Sequence, residues 1–333
     1  MSAHVPAQAA NRTPCSLAFL GEAPGEEEID RGIPLVGPSG QIFDAGLRTA
    51  GIDRRECWVG NVYDVKAPGN DVTAWVWNAA FTGPHMARLE RELQAARPTV
   101  IVPMGATALW ALIGTTAITQ MRGAVQRATR LVPGAKIVPS FHPAFVMRDW
   151  KFLPTMVGDF IRAKEEAALG PLVVYPKRAL LLAPTMEEIE AYLPRLFSSS
   201  LLSVDIETGW GQITCIGFAP DEENAICIPF VDLRVPNRSY WETAEEEVAV
   251  WSLVRRVLES PVPKIGQSFG IYDAYWLLAK KGIRTMNARH DTRLLHHALS
   301  PELPKDLAFL GAAYSTQGPW KHWGHRKSEK KED

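Results

Sequence analysis

The chain has 333 residues, 46% of them hydrophobic and 22% charged, with 36 Lys and Arg set against 37 Asp and Glu. That length accommodates two domains, and charges that nearly cancel exclude a general electrostatic pull toward nucleic acid, leaving only local patches to act. Four cysteines, Cys15, Cys57, Cys215 and Cys227, contain no Cys-x-x-Cys pair, which argues against a disulfide framework or a structural zinc site and for a reducing compartment. No apolar run reaches the roughly 20 residues needed to cross a bilayer. Residues 1–14 are polar and Ala-rich, without the apolar centre of a signal peptide. The expectation is a cytoplasmic protein with no membrane partner and a disordered tail over 1–14.

Residues 16–20 read as a buried strand that feeds the turn Gly21-Glu22-Ala23-Pro24-Gly25. The acid run Glu26-Glu27-Glu28 follows, then a segment rich in Gly and Pro around Leu35, then a helical pattern over 41–50. Further strands are expected at 57–62, 100–105 and 136–141, with helices over 86–96 and after Gly105. Strands alternating with helices predict a parallel sheet covered on both faces, a three-layer arrangement. Glu22, Asn61 and His142 all fall at or near the C-terminal end of a strand, where open α/β sheets place their ligands. Taken singly, His142 reads as a capping or core histidine. A carboxylate, an amide and an imidazole together could position water, read a base edge and stabilise an anion.

The boundary to the second half is expected near Gly170-Pro171. A strand at 180–182 precedes a helix started by Thr185 and Glu188 in a capping box. The stretch Leu201-Leu202-Ser203-Val204-Asp205-Ile206-Glu207-Thr208 reads as a strand with Asp205 and Glu207 on one face and Ile206 toward the core. Two readings stand for these acids: they grip a divalent cation, or they end a strand beside the turn at Gly209 and Gly211. Residues 212–218 and 224–230 alternate around Pro220-Asp221 as a hairpin, so the acid-bearing strand has antiparallel neighbours. Asp273 opens a helix, either to complete a metal site or as an acid favoured by the helix dipole. Residues 317–333 read as an exposed charged tail.

Gly21-Glu22-Ala23-Pro24-Gly25, Gly32-Ile33-Pro34-Leu35-Val36-Gly37 and Ser140-Phe141-His142-Pro143-Ala144 resemble the signature segments of family 4 uracil-DNA glycosylases. The resemblance implies base flipping and hydrolysis of the N-glycosidic bond. By position it makes Glu22 and Glu28 organisers of the attacking water, Asn61 the reader of the uracil edge, and His142 the stabiliser of the departing uracil anion. Leu35 stands where that family carries an aromatic residue against the base. The family binds an iron–sulfur cluster through four cysteines; this half has Cys15 and Cys57, so no iron–sulfur cluster is expected.

Asp205-Ile206-Glu207-Thr208, Tyr272-Asp273 and His290-Asp291-Thr292-Arg293-Leu294-Leu295 are similar to motifs of the proofreading exonuclease of family A DNA polymerases. That resemblance implies a ribonuclease-H-like mixed sheet and hydrolysis of the terminal phosphodiester with two Mg2+ (or Mn2+) ions. Asp205 would bridge both ions, Glu207 would bind the nucleophile's ion and Asp273 the second. The family's third motif has no counterpart after Tyr314, so the domain is expected to be incomplete. Both resemblances together are similar to the N-terminal part of certain bacteriophage family A DNA polymerases, which implies a single-stranded DNA 3′ end and a polymerase-domain polypeptide as partners.

The expected fold is therefore α/β, with a glycosylase-like domain over 15–170 and an incomplete exonuclease-like domain over 171–316. The expected function is a metal-dependent 3′–5′ exonuclease module with weak activity alone. The alternatives are a uracil-DNA glycosylase without a cluster, or a non-catalytic DNA-binding or docking protein.

Overall fold

In Leu17-Ala18-Phe19-Leu20 there is no polar residue to face water, and such a run is stable in a sheet only when both faces are covered. The computed structural model describes residues 4–315 apart from 77, 175 and 176, so the tail expected over 317–333 lies outside the described residues. These residues divide into two compact units, 4–174 together with 308–315, and 177–307.

The first unit is built on β1 (Leu17–Gly21), β2 (Trp58–Asn61), β3 (Val100–Pro103), β4 (Gln126–Arg127) and β5 (Lys136–Ile137), in the order β2-β1-β3-β5-β4. All are parallel except the short edge strand β4, which runs antiparallel to β5. Its helices are α1 (Glu26–Arg31), α2 (Pro38–Thr49), α3 (Thr73–Val76), α4 (Ala79–Ala96), α5 (Ala106–Ile113), α6 (Ile118–Met121), α7 (Pro143–Arg148) and α8 (Leu153–Ala168). Side-chain alternation along β1 supplies both cores. Phe19 meets Phe43 of α2 at 5.1 Å and Phe160 of α8 at 5.0 Å, both edge-on. Ala18 and Leu20 face the other way, into a cluster with Leu89, Leu93, Ala108 and Leu112 of α4 and α5. Three layers result, as the alternation of strands and helices implies.

Two segments depart from expectation. The tail expected to be disordered over 1–14 is, from His4 on, bound to the edge of the sheet. Val5 is buried, its N–H donates to Asp64 O at 2.7 Å, and Gln8 bridges Val59. The cause is the outer edge of β2, whose unpaired backbone groups accept another strand. The second departure is the end of the second domain, placed at 316. Helix α13 (Leu307–Tyr314) belongs, but for its first residue, to the first unit. Its last carbonyls need donors, and Arg162 provides them to Ala312 O at 2.8 Å, Ala313 O at 3.2 Å and Ser315 O at 2.6 Å. The Arg122 guanidinium lies 5.4 Å from the Phe309 ring centroid.

The second unit carries a six-stranded sheet in the order β11-β10-β7-β8-β9-β6. The strands are β6 (Ala179–Leu182), β7 (Leu202–Gly209), β8 (Gln212–Ala219), β9 (Asn224–Pro229), β10 (Lys264–Gly266) and β11 (Ala288–Asp291). β7, β8 and β9 are antiparallel, while β10 and β11 run parallel to β7. This is the mixed sheet expected of a ribonuclease-H-like domain. Its helices are α9 (Met186–Phe197), α10 (Ala244–Leu258), α11 (Asp273–Lys281) and α12 (Thr292–Leu299). Thr185 and Glu188 form the expected capping box at the start of α9, at 3.2 and 2.8 Å. One sheet face, with Val204, Ile206, Ile216 and Phe218, packs on α9 and α10.

In the first unit Arg122 and Asp159 form a buried ion pair, with Nε 3.1 and 3.0 Å from the two carboxylate oxygens. Removing one partner strands the other charge, so Arg122→Met is expected to cost about 3–5 kcal/mol in urea denaturation, and adding Asp159→Leu to restore most of it. A loss of the single variant below about 1 kcal/mol would count against the pair as a structural tie.

Candidate active site

The parallel strands of the first unit deliver their C-terminal ends to one crevice. Gly21 is in register with Asn61, the last residue of β2. Met104, just past β3, bridges Ser140, two residues before His142. A Cβ on Gly21 would lie 2.3 Å from Asn61 Oδ1 and 3.6 Å from His142 Nε2. Only glycine leaves room for both groups here. Asn61 is 5% exposed, and its Oδ1 has no hydrogen-bond partner among the described residues. Arg88 holds the backbone behind it, donating to Asn61 O at 2.9 Å and Val62 O at 2.8 Å.

His142 caps α7: its Nδ1 accepts from Ala144 N–H at 3.1 Å. Burial, and then the Arg148 cation, push its pKa down to about 4, so the ring is neutral at ordinary pH. A neutral ring that accepts at Nδ1 carries its proton at Nε2. The edge it turns to Gly21 and Asn61 is therefore an N–H donor. Glu22, next in the chain after Gly21, accepts from Thr107 Oγ1 at 2.5 Å.

Glu28 is placed differently from expectation. Its Oε1 accepts from Val36 N at 3.0 Å and Gly37 N at 2.8 Å, and its Oε2 from Gly25 N at 3.0 Å. A carboxylate holding three backbone amides ties the loop on either side of α1. Its position as third residue of α1, after Gly25 at the N-cap, is the sequence signal for this capping role. Leu35 is 5% exposed and sits at φ +50°. Arg54, which sequence reasoning missed, fixes that conformation by donating to Pro34 O at 2.5 Å and Leu35 O at 2.8 Å and pairing with Asp44 at 2.8 Å. No local pattern announces a clamp that spans 19 residues.

In the second unit Asp205 and Glu207 do share the exposed face of β7, in register with Gly217 and Cys215 of β8. Asp273 opens α11 as expected but is 2% exposed, and its Oδ1 accepts from Ile206 N at 2.9 Å. Burial, with Asp205 and Asp291 nearby, raises its pKa to about 6. Among the described residues no three His, Cys, Asp or Glu side chains are gathered so as to hold a metal ion. The residues do not fit the two-ion site that the exonuclease resemblance implies.

The sequence model of the Uracil DNA glycosylase superfamily matches residues 11–163. The type-4 uracil-DNA glycosylase of Thermotoga maritima is 34% identical over 135 residues, covering 40% of this chain and 67% of that protein. The chain belongs to the uracil DNA glycosylase superfamily. A second relative, the type-4 uracil-DNA glycosylase of Archaeoglobus fulgidus, is 31% identical over 137 residues, covering 39% of this chain and 66% of its own. Two exonuclease structures align with part of the chain. The Aedes aegypti Nibbler EXO domain does so with 16% identity and a TM-score of 0.31, covering 45% of this chain and 77% of its own. Escherichia coli RNase D, an exoribonuclease involved in structured RNA processing, has 17% identity, a TM-score of 0.31, and coverage of 46% and 39%. Likeness at that level carries no argument about chemistry.

The family match overturns the expectation of a 3′–5′ exonuclease, because the relatives are named glycosylases and the match falls on the first unit. The glycosylase alternative is the better supported. Iron–sulfur ligation, which the family resemblance implies, does not fit the residues present. The first unit offers two thiols, Cys15 and Cys57, where a cluster of this kind takes about four thiolates. Burial raises the pKa of Cys15, and burial with Cys15 alongside pushes Cys57 up to about 12. Among the described residues no helix is long and apolar enough to cross a membrane.

The protonation of His142 is open to direct test. In a 15N NMR titration its ring is expected to stay neutral, with the proton on Nε2, from about pH 8 down to about pH 5, well below the ordinary histidine midpoint near 6.5. A midpoint at the ordinary value would contradict the buried, capping placement.

Proposed function

We propose that the chain is a DNA glycosylase that releases uracil by hydrolysis of its N-glycosidic bond. The observation that carries this reading is the unpaired Asn61 Oδ1 beside the Nε2–H edge of His142, over the space left by Gly21. A buried acceptor without a donor costs about 1–3 kcal/mol, which a ligand N–H in the crevice offsets. Uracil offers an N–H flanked by two carbonyl oxygens, and it can reach such a pocket only when turned out of the base stack. DNA is then the partner. No polymerase-domain partner enters this reading.

In this reading Asn61 binds the ring N–H and an adjacent carbonyl through its amide. Glu22 accepts a hydrogen bond from the attacking water at the sugar side and takes its proton as the water oxygen bonds to C1′. As the bond from C1′ to the base breaks, its electron pair goes to the base and the charge spreads onto a carbonyl oxygen. His142 Nε2–H donates to that oxygen. A neutral N–H donor suits this task, because its hydrogen bond to the carbonyl oxygen strengthens as negative charge develops there. Leu35 closes the pocket with an aliphatic surface held in place by Arg54.

The full chain, incubated with a uracil-containing oligonucleotide and excess chelator, is expected to leave alkali-labile abasic sites, since no step uses a metal. Asn61→Ala and His142→Ala are each expected to slow release on the order of 10²–10³-fold. Gly21→Ala, whose methyl would displace the Asn61 amide, is expected to act like Asn61→Ala. Folded wild-type protein that leaves the uracil in place would sink the proposal.

A further inference from the structure

Thr107 is held at the crevice by features the proposed chemistry does not use. It is the second residue of α5, which follows Gly105 at φ +89°. Gly105 N–H donates to Ser140 O at 2.9 Å, and a Cβ on Gly105 would come within 3.1 Å of His142 Cβ. The turn from β3 into α5 thus packs directly against the segment that delivers His142. Inside a helix a threonine hydroxyl usually bonds the carbonyl one turn back. In the first turn that carbonyl belongs to the preceding strand, so the hydroxyl is left to serve another acceptor. It serves Glu22 Oε2, at 2.5 Å across 85 residues of sequence, although Thr107 itself is only 7% exposed. The Glu22 backbone is pinned independently, its carbonyl accepting from Tyr63 N–H at 3.0 Å.

We propose that Thr107 is a positioning residue for the hydrolysis, its hydroxyl fixing one oxygen of Glu22 so that the other is presented to the attacking water. An ionised carboxylate only accepts, so the hydroxyl must donate. This role rests on the glycosylase reading above. Thr107 does not itself touch base, sugar or water.

Full-length Thr107→Val, Thr107→Ser and Glu22→Gln proteins, assayed on the uracil oligonucleotide, test it. Thr107→Val keeps the shape and removes the donor. It is expected to lower kcat about tenfold, inside the roughly 10²–10⁴-fold reach of a positioned acid or base. KM is expected to hold. Thr107→Ser restores the rate. In the Glu22→Gln background Thr107→Val adds no further loss, because the two act as one unit. An active wild type with an unaffected Thr107→Val, a loss confined to KM, or losses that multiply with Glu22→Gln would overturn the role alone. A folded wild type that releases no uracil would remove the glycosylase reading and this role with it. Should Thr107→Val fail to fold, Thr107→Ala reads the same loss.

Discussion

The register of β1 against β2 governs the first unit's chemistry. It sets Gly21 opposite Asn61, and the missing Cβ at Gly21 is what lets an amide oxygen and an imidazole N–H share one small space. A sheet of parallel strands ends all of them on one side, and the crossover connections then bring Glu22, Asn61 and His142 together from positions 120 residues apart. Asn61 ends β2 itself, while Glu22 and His142 come from loops, and each loop leaves a strand whose register is fixed by packing on both faces. Precision at the site is inherited from the core.

The loops are braced by charged groups whose partners are backbone. Glu28 holds three amides, Arg54 two carbonyls and Arg88 two more. Charged hydrogen bonds to main-chain groups are stronger than neutral ones, and they fix loops that have little apolar surface of their own. The positive φ of Leu35 is tolerable in that setting. Left-handed backbone at a branched residue carries strain. The same device recurs at Arg162, which gathers the C-terminal carbonyls of α13 into the first unit.

Much of this could be read from the chain before any coordinates. The strands at 17–21, 58–61 and 100–103 announce themselves as short apolar runs, and the crevice residues follow from being at their ends. Local patterns are readable because the hydrophobic period is local. What stayed hidden depends on long-range partners. His4 and Val5 look like a loose tail until the open edge of β2 is considered, and α13 looks like part of the second domain until Arg162 is placed. The family resemblance makes Glu28 a companion of Glu22, while its third position in α1 accounts for the three backbone amides it holds. The two acids of β7 do share one face, while Asp273 is buried with one oxygen on the Ile206 N–H, and among the described residues no three such side chains gather as metal ligands.

At the centre stands one claim: a neutral imidazole N–H and an unpaired amide oxygen form a receptor for a flipped pyrimidine. The most direct measurement is 15N NMR of the full chain during titration with free uracil, following the His142 Nε2–H and the Asn61 side-chain amide. The account predicts that both signals shift together along one saturating curve, while the histidine stays neutral. Signals that remain in place at saturating uracil, in protein shown to be folded, would contradict it.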